Sequence, residues 1–318
     1  MKKITELYLK NRTVILRCDL NVSIKDGKII DDTKIKESLK TINYILEQGG
    51  KVVIMSHLGK IKTEEDKQKY DMKIVYNRLN ELLPNKISFI NETSGSKLKK
   101  AVKKLEYGKG ILIQNTRYED LPKNKESGCD KKLSKFWAKL GDYYVNDAFG
   151  TIHRMHASNY GVSNYLESAV GFLVIKELDN LNRLDNPKRP FVVIMGGSKI
   201  SDKIGVIKSL IKQADYILIG GAMAFTFLEA KGYRVGRSLF EEKYIDYCKE
   251  LIKHYGDRLI LPVDIYGTYT LTEKPDVILQ DIENIPKDFI LNLNDLIDNI
   301  KSIGIGKTII PVTKNGEI

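Results

Sequence analysis

The sequence predicts an α/β fold of two parallel-sheet domains flanking a cleft. Short apolar runs recur along the chain, amphipathic helical periods lie between them, and a two-proline break separates two such series. In the first series Thr13 to Cys18, Lys51 to Met55, Ile87 to Ile90, Gly110 to Gln114 and Tyr143 to Val145 read as buried strands. Ile35, Leu39, Ile42, Ile45 and Leu46 mark a helix between the first two, with Asp31-Asp32-Thr33 at its start. Alternation of this kind builds parallel sheets covered on both faces.

Leu173 to Leu184 has a helical period, and Asp185-Asn186-Pro187-Lys188-Arg189-Pro190 then breaks the chain. Residues 1–172 are therefore expected to form one domain, 173–189 an interdomain helix and linker, and 190–318 a second domain. Its strands are read at Phe191 to Met195, Tyr216 to Ile219, Arg258 to Leu261, Asp276 to Leu279 and Thr308 to Val312. A site shared by two such domains is expected at their strand ends, in the cleft.

Composition narrows the function classes. The 318 residues are 42% hydrophobic and 29% charged, which is the balance of a globular protein, with no low-complexity segment. Met1-Lys2-Lys3 runs into Ile4-Thr5-Glu6-Leu7 without the apolar stretch of a secretion leader, and the longest uncharged stretch, Tyr216 to Leu228, is too short to span a bilayer. A cytoplasmic protein without a membrane partner is expected. The net charge of +11 suits an acidic small substrate, and equally a lysine-rich composition with no target. Lysines such as Lys97, Lys99, Lys100, Lys103 and Lys104 are not interleaved with aromatics, so a nucleic-acid partner is not expected.

The three cysteines, Cys18, Cys129 and Cys248, form no C-x-x-C pair and imply neither a disulfide framework nor a zinc site. His153 and His156 lack a third ligand at metal spacing, so no metal ligand is assigned. Cys18 sits inside a strand and reads as a small core residue rather than the nucleophile of a dyad with His57.

The clearest chemical motif follows the second domain's first strand. Phe191-Val192-Val193-Ile194-Met195 leads into Gly196-Gly197-Ser198-Lys199-Ile200-Ser201-Asp202-Lys203, a strand, a glycine pair and a helix start with two lysines four residues apart. Strand-to-helix turns present free backbone N–H groups, and glycine lets that backbone approach a phosphate closely. Ser201 is read as the N-cap, Asp202 as part of the first turn, and Ile204, Ile207 and Ile211 as the buried stripe. Lys199 then lies in the turn and Lys203 in the first helical turn, both within reach of one anion. The alternative is a solvated lysine pair on an ordinary βα unit.

The first series carries polar clusters at its strand ends. They are Arg17-Cys18-Asp19-Leu20-Asn21-Val22, Asp31-Asp32-Thr33-Lys34-Ile35, Ser56-His57-Leu58-Gly59-Lys60, Gln114-Asn115-Thr116-Arg117-Tyr118, and the run Asn146-Asp147-Ala148-Phe149-Gly150-Thr151-Ile152-His153-Arg154-Met155-His156-Ala157-Ser158. Gly220-Gly221-Ala222-Met223-Ala224, Thr226-Phe227-Leu228 and Leu261-Pro262-Val263-Asp264 follow the lysine-bearing loop. In this order the motifs closely resemble the phosphoglycerate kinases, over nearly the whole sequence.

The resemblance implies two Rossmann-like domains that close about a hinge, and a glycolytic, reversible phosphoryl transfer between ATP/ADP and 3-phosphoglycerate/1,3-bisphosphoglycerate. It places the triose acid on the first domain and the nucleotide on the second. Asp19 and Asn21 would hold the glycerate hydroxyl and carboxyl end. His57, Arg117 and Arg154, with Lys34 and Lys60, would form the basic patch that grips the substrate phosphate. Lys199 would follow the migrating phosphoryl group, Lys34 would assist it, and Lys203 would contact nucleotide phosphates. Gly196, Gly197, Gly220 and Gly221 would shape the nucleotide pocket. The chemistry agrees with such a site, because phosphoryl transfer needs chiefly positioning and positive charge.

Some positions depart from the family's pattern. Lys34 and Lys60 stand where the family has arginine, and lysine lacks the planar fork that grips phosphate at two points. Gln114 stands for a glutamate. The sequence ends at Pro311-Val312-Thr313-Lys314-Asn315-Gly316-Glu317-Ile318, ahead of the family's W-N-G-P run, its acidic ribose contact, its G-G-G-D-[ST] loop and its final return segment. Mg²⁺ is expected from the family, but its usual protein contact has no counterpart here, so weak metal-nucleotide binding is expected. The family is usually monomeric, and an incomplete second sheet is expected to favour association. Gly306-Lys307-Thr308 is no phosphate-binding P-loop, since Lys301 stands where that motif needs glycine. The alternative to an active kinase is a catalytically silent relative that binds phosphoglycerate or a protein.

Overall fold

The computed structural model describes residues 1–268, 278–281 and 290–292, with side chains through 263. Its contacts divide the chain into two compact units, residues 1–185 and residues from 186 onward.

The first unit is built on six strands of one parallel sheet: β1 (Thr13–Cys18), β4 (Lys51–Met55), β5 (Ile87–Ile90), β6 (Gly110–Ile113), β7 (Tyr143–Asp147) and β8 (Glu167–Val170), in the order β5-β6-β4-β1-β7-β8. A small antiparallel hairpin, β2 (Ile24–Lys25) with β3 (Lys28–Ile29), follows β1. The helices are α1 (Thr33–Glu47), α2 (Glu64–Lys69), α3 (Lys73–Leu82), α4 (Ser96–Lys104), α5 (Lys131–Ala138) and α6 (Phe172–Asn182).

The two faces of the sheet are read off the strand period of two. Val14, Leu16 and Cys18 of β1 and Val52 and Ile54 of β4 join one core with Ile35, Ile42 and Ile45 of α1. Ile15, Val53 and Met55 point the other way, into a core with Trp137 and Leu133 of α5 and Leu98 of α4. Arg17 stands on this second face at the carboxyl end of β1, wholly buried. Cys18 is equally buried, and desolvation pushes its thiol well up, as befits a core residue.

The second unit carries β9 (Val192–Met195), α7 (Ile204–Leu210), β10 (Tyr216–Ile219), α8 (Met223–Ala230), α9 (Ile245–Tyr255) and β11 (Leu259–Ile260), with a parallel sheet in the order β11-β10-β9. Val193, Met195, Ile207, Ile211, Ile217, Ile219, Phe227 and Leu251 share its core. Past β11 the backbone forms an antiparallel sheet of β12 (Asp264–Thr268), β13 (Ile278–Asp281) and β14 (Ile290–Asn292), ordered β13-β12-β14.

Several expectations change here. A parallel strand expected at Asp276 to Leu279 is β13, antiparallel to β12, because the connection over residues 269–277 is shorter than the dozen or so residues that a parallel crossover needs. Ser201 does not cap α7. Its N–H and hydroxyl donate to Glu241 at 2.9 and 2.8 Å, and with that side chain committed the helix starts later, at Ile204, with Lys203 in the capping position. The strand expected at Thr308 to Val312 lies outside the described residues.

Candidate active site

Neighbouring strands β6, β4, β1 and β7 end side by side, so the segments that follow them meet at one edge of the first unit's sheet. Parallel sheets collect ligands at that edge, since strand ends leave side chains and N–H groups free of the ladder.

The segment after β1 brings Asp19 and Asn21. Asp19 Oδ1 accepts from the Asn21 N–H at 3.2 Å, and Asn21 Oδ1 accepts from the Gly59 N–H at 2.8 Å, tying this loop to the one after β4. Lys34, on the first turn of α1, places Nζ 3.0 Å from Asp19 Oδ2 with its side chain about half exposed. Lys60 is exposed in the loop after β4.

His57, only 6% exposed, sits where the charges converge. Arg17 Nη2 lies 3.0 Å from His57 Nδ1. Burial holds this imidazole well below its usual pKa, and the positive charges of Arg17, Arg117, Arg154 and Lys34 push it the same way. His156 is lowered to about 4 by burial and by Arg117, Arg17 and Arg154. The structure thus brings His57, Arg117, Arg154 and Lys34 together, around neutral imidazoles.

Arg117 follows β6. Its Nη1 is 3.8 Å from Asp120, while its Nε is buried without a hydrogen-bond partner. A buried donor left unsatisfied costs on the order of 1–3 kcal/mol, and such groups mark places where a ligand completes the bonding. Asn115 fixes this loop: its amide donates to Leu58 O at 2.7 Å and Tyr70 O at 3.0 Å, and its oxygen accepts from the Leu58 and Arg117 N–H groups.

Gln114 lies beneath the loop rather than in it. Its Nε2 donates to Asp71 and Asn91, both at 2.8 Å, and its Oε1 accepts from the Met72 N–H at 2.9 Å. A carboxylate here would lose both donations and face the Asp71 charge, so the neighbours of Gln114 in this chain suit an amide.

Arg17, Ser56, Ser158 and Glu126 were not singled out by the sequence reading. Glu126 is wholly buried and accepts from the Ser158 N–H at 2.9 Å and from the Ser158 hydroxyl. Ser158 Oγ in turn accepts from Arg17 Nε at 2.9 Å. Arg17 and Ser158 stand inside motifs that could have drawn notice. Glu126 carries no local signal, since only its tertiary neighbours bury it.

In the second unit the glycine loops after β9 and β10 touch through their backbones. Gly221 has φ of +65°, and a Cβ there would fall 2.6 Å from Gly197 N and 2.7 Å from Gly197 O. The Met223 N–H donates to Gly197 O at 2.9 Å and the Gly220 N–H to Met195 O at 2.7 Å. A Cβ on Gly196 would lie 3.9 Å from the Gly220 backbone. Lys203 is buried beneath this pair, its Cε 3.8 Å from the Cβ position of Gly197, and Lys199 is exposed in the turn. Burial opposes the negative charge of Glu241, but its bonds from Ser201 and, less, the nearby Lys199 outweigh it and lower its pKa. A close-set backbone with two lysines fits an anionic phosphate chain.

The family model for phosphoglycerate kinase matches residues 4–296. The chain belongs to the phosphoglycerate kinase family. It is 50% identical over 288 residues to the phosphoglycerate kinase of Macrococcus caseolyticus, covering 90% of this chain and 73% of that one. The Staphylococcus aureus enzyme is 49% identical over the same shares. Among solved structures, phosphoglycerate kinase from Coxiella burnetii aligns with a TM-score of 0.76 at 32% identity, over 95% of this chain and 75% of that one. The Pyrococcus horikoshii phosphoglycerate kinase gives 0.77 at 30% identity, over 95% and 78%. No described helix is long and apolar enough to cross a membrane.

Proposed function

We propose that this kinase carries out the family's reversible phosphoryl transfer between ATP and 3-phosphoglycerate, as a cytoplasmic glycolytic enzyme. In this reading residues 1–172 hold the triose acid, 190 onward hold the nucleotide and 173–189 join them. The observation that carries it is the gathering of Arg17, Arg117, Arg154 and Lys34 around the buried His57 at the strand ends, where Arg117 Nε is buried without a hydrogen-bond partner that an anionic substrate would supply.

Within that site Arg117 and Arg154 take the substrate phosphate, with Lys60 at its edge, and Asp19 and Asn21 take the hydroxyl and carboxyl end. Gly196, Gly197, Gly220 and Gly221 cradle the nucleotide, Lys203 meets its phosphates and Lys199 follows the transferred group. In the forward step a carboxylate oxygen of the acid attacks the γ-phosphorus, the bond to the bridging β–γ oxygen breaks and ADP leaves with that electron pair. The attacking oxygen carries no proton, so the step needs no general base. Neutral His57 accordingly serves as a hydrogen-bond donor, and Lys34 and Lys199 offset the charge spread over the equatorial oxygens.

The family uses Mg²⁺ with its nucleotide. Among the described residues no group of three or more His, Cys, Asp or Glu side chains could hold a metal.

Calorimetry tests the division of labour. Arg117→Ala is expected to weaken 3-phosphoglycerate binding about tenfold or more and leave ADP binding unchanged, with Lys203→Ala doing the reverse, since each loses a charge-assisted hydrogen bond of roughly 1.5–3 kcal/mol. Equal losses of both ligands in both variants would contradict it.

A further inference from the structure

Glu126 is a wholly buried carboxylate whose partners lead, bond by bond, to the substrate-facing histidine. Burial raises its carboxyl, while the Arg17 charge and the two bonds from Ser158 favour the ionised form; in that form it is an acceptor only and takes both the N–H and the hydroxyl hydrogen of Ser158. A hydroxyl has one hydrogen to give. With that hydrogen committed to Glu126, Ser158 Oγ turns its lone pairs outward and accepts from Arg17 Nε at 2.9 Å.

The guanidinium is planar and rigid, so anchoring one edge aims the others. Arg17 Nη1 donates to Cys18 O, and Nη2 reaches His57 Nδ1 at 3.0 Å. Arginine has no acceptor and is not deprotonated in proteins, so His57 Nδ1 must be the acceptor in this pair. The hydrogen of the neutral ring then resides on Nε2. Burial, and then the positive charge of Arg17, Arg117, Arg154 and Lys34, disfavours a second proton on the ring.

We propose that Glu126 is a positioning residue for the triose side of the reaction: through Ser158 and Arg17 it holds His57 as the Nε2–H tautomer, able to donate to an anionic substrate. This rests on the triose site proposed above. The Ser158 N–H bond and the hydroxyl bond use different carboxylate oxygens, so replacing one oxygen by an amide nitrogen disrupts the relay while keeping the shape of the side chain.

The test uses the full chain. Nitrogen-detected NMR of the ligand-free protein is expected to show His57 with its hydrogen on Nε2 and Nδ1 bare from pH 6 to 8. In Glu126→Gln, and in Ser158→Ala as a variant with a smaller change, that pattern gives way to a mixture of tautomers. The same variants bind 3-phosphoglycerate about tenfold more weakly by calorimetry, with ADP binding within about twofold of the original, as expected for one weakened charged-site bond. A hydrogen on Nδ1 in the unaltered protein overturns the proposal, and so does an unchanged tautomer and 3-phosphoglycerate Kd in either variant. His57→Ala separates this failure from that of the site itself. If it weakens 3-phosphoglycerate binding while Glu126→Gln and Ser158→Ala do not, only the positioning role is lost. If it leaves binding unchanged, the triose site is overturned and the proposal with it.

Discussion

Lys34 puts a point charge where the resemblance leads one to expect a planar fork, and its Nζ lies 3.0 Å from Asp19 Oδ2. An ammonium and a guanidinium differ in how many equatorial oxygens they meet at once, so the exchange is not conservative. Lys34→Arg is therefore expected to raise kcat/KM for 3-phosphoglycerate, by about tenfold to a hundredfold if the fork adds one charge-assisted bond of roughly 1.5–3 kcal/mol in the transition state. Steady-state kinetics decide it, and an unchanged or lower value would mean that the lysine suits this site. At this scale the sequence was legible where a residue's placement is local. Asp19, Asn21, His57, Arg117 and Arg154 follow strand ends, and charged or polar side chains in that place carry their own signal. Glu126 lies in the irregular segment before α5, and its burial under Ser158 and His156 comes from a chain contact made some thirty residues away. No spacing rule reaches that far.

The elements that carry the site are the strand-end loops, and those of the second unit depend on bare backbone. Gly221 combines a positive φ with a Cβ position 2.6 Å from Gly197 N, so any side chain must push the two loops apart. Gly221→Ala is expected to weaken ADP binding about tenfold or more and to lower the thermal midpoint, while 3-phosphoglycerate binding holds; calorimetry and a melting curve check both. Nucleotide affinity equal to the original would show that the loop contact does not shape the site. Strands with near-continuous apolar runs, such as β1 and β4, were read to their ends, because burial on both faces forces that composition. β8 was not read: Glu-Ser-Ala-Val at the sheet edge is only half buried and has no run to see. The antiparallel trio past β11 was missed because its pairing depends on connection length rather than on local pattern. The start of α7 was misplaced because Ser201 reads as a cap until Glu241, forty residues on, claims its hydroxyl.

Charge acts on the molecule as a whole. With a net charge of +11, the protein repels itself under acid conditions and attracts small anions at low salt. His57 and His156 add a specific acid sensitivity. Both are neutral in the fold, His57 held well below its usual pKa and His156 lowered to about 4, whereas an unfolded histidine titrates near 6.5. Below about pH 6.5 the unfolded chain binds protons that the fold refuses, so stability falls as the pH drops toward 4. Glu126 and Asp147 act oppositely, since burial raises both carboxyls and acidification relieves that cost. The urea midpoint is expected to fall from pH 7 to pH 4, and less steeply in His156→Gln; an equal slope would show that His156 is not a source of the loss. The central claim is that one chain carries both the triose-binding and the nucleotide-binding residues of an active kinase. A coupled assay of ATP-dependent phosphorylation of 3-phosphoglycerate, run beside Lys199→Ala, tests it most directly. The account predicts turnover that falls about a hundredfold or more in the variant, because Lys199 offsets charge on the transferred group. Correctly folded protein that binds 3-phosphoglycerate and gives no turnover would contradict it.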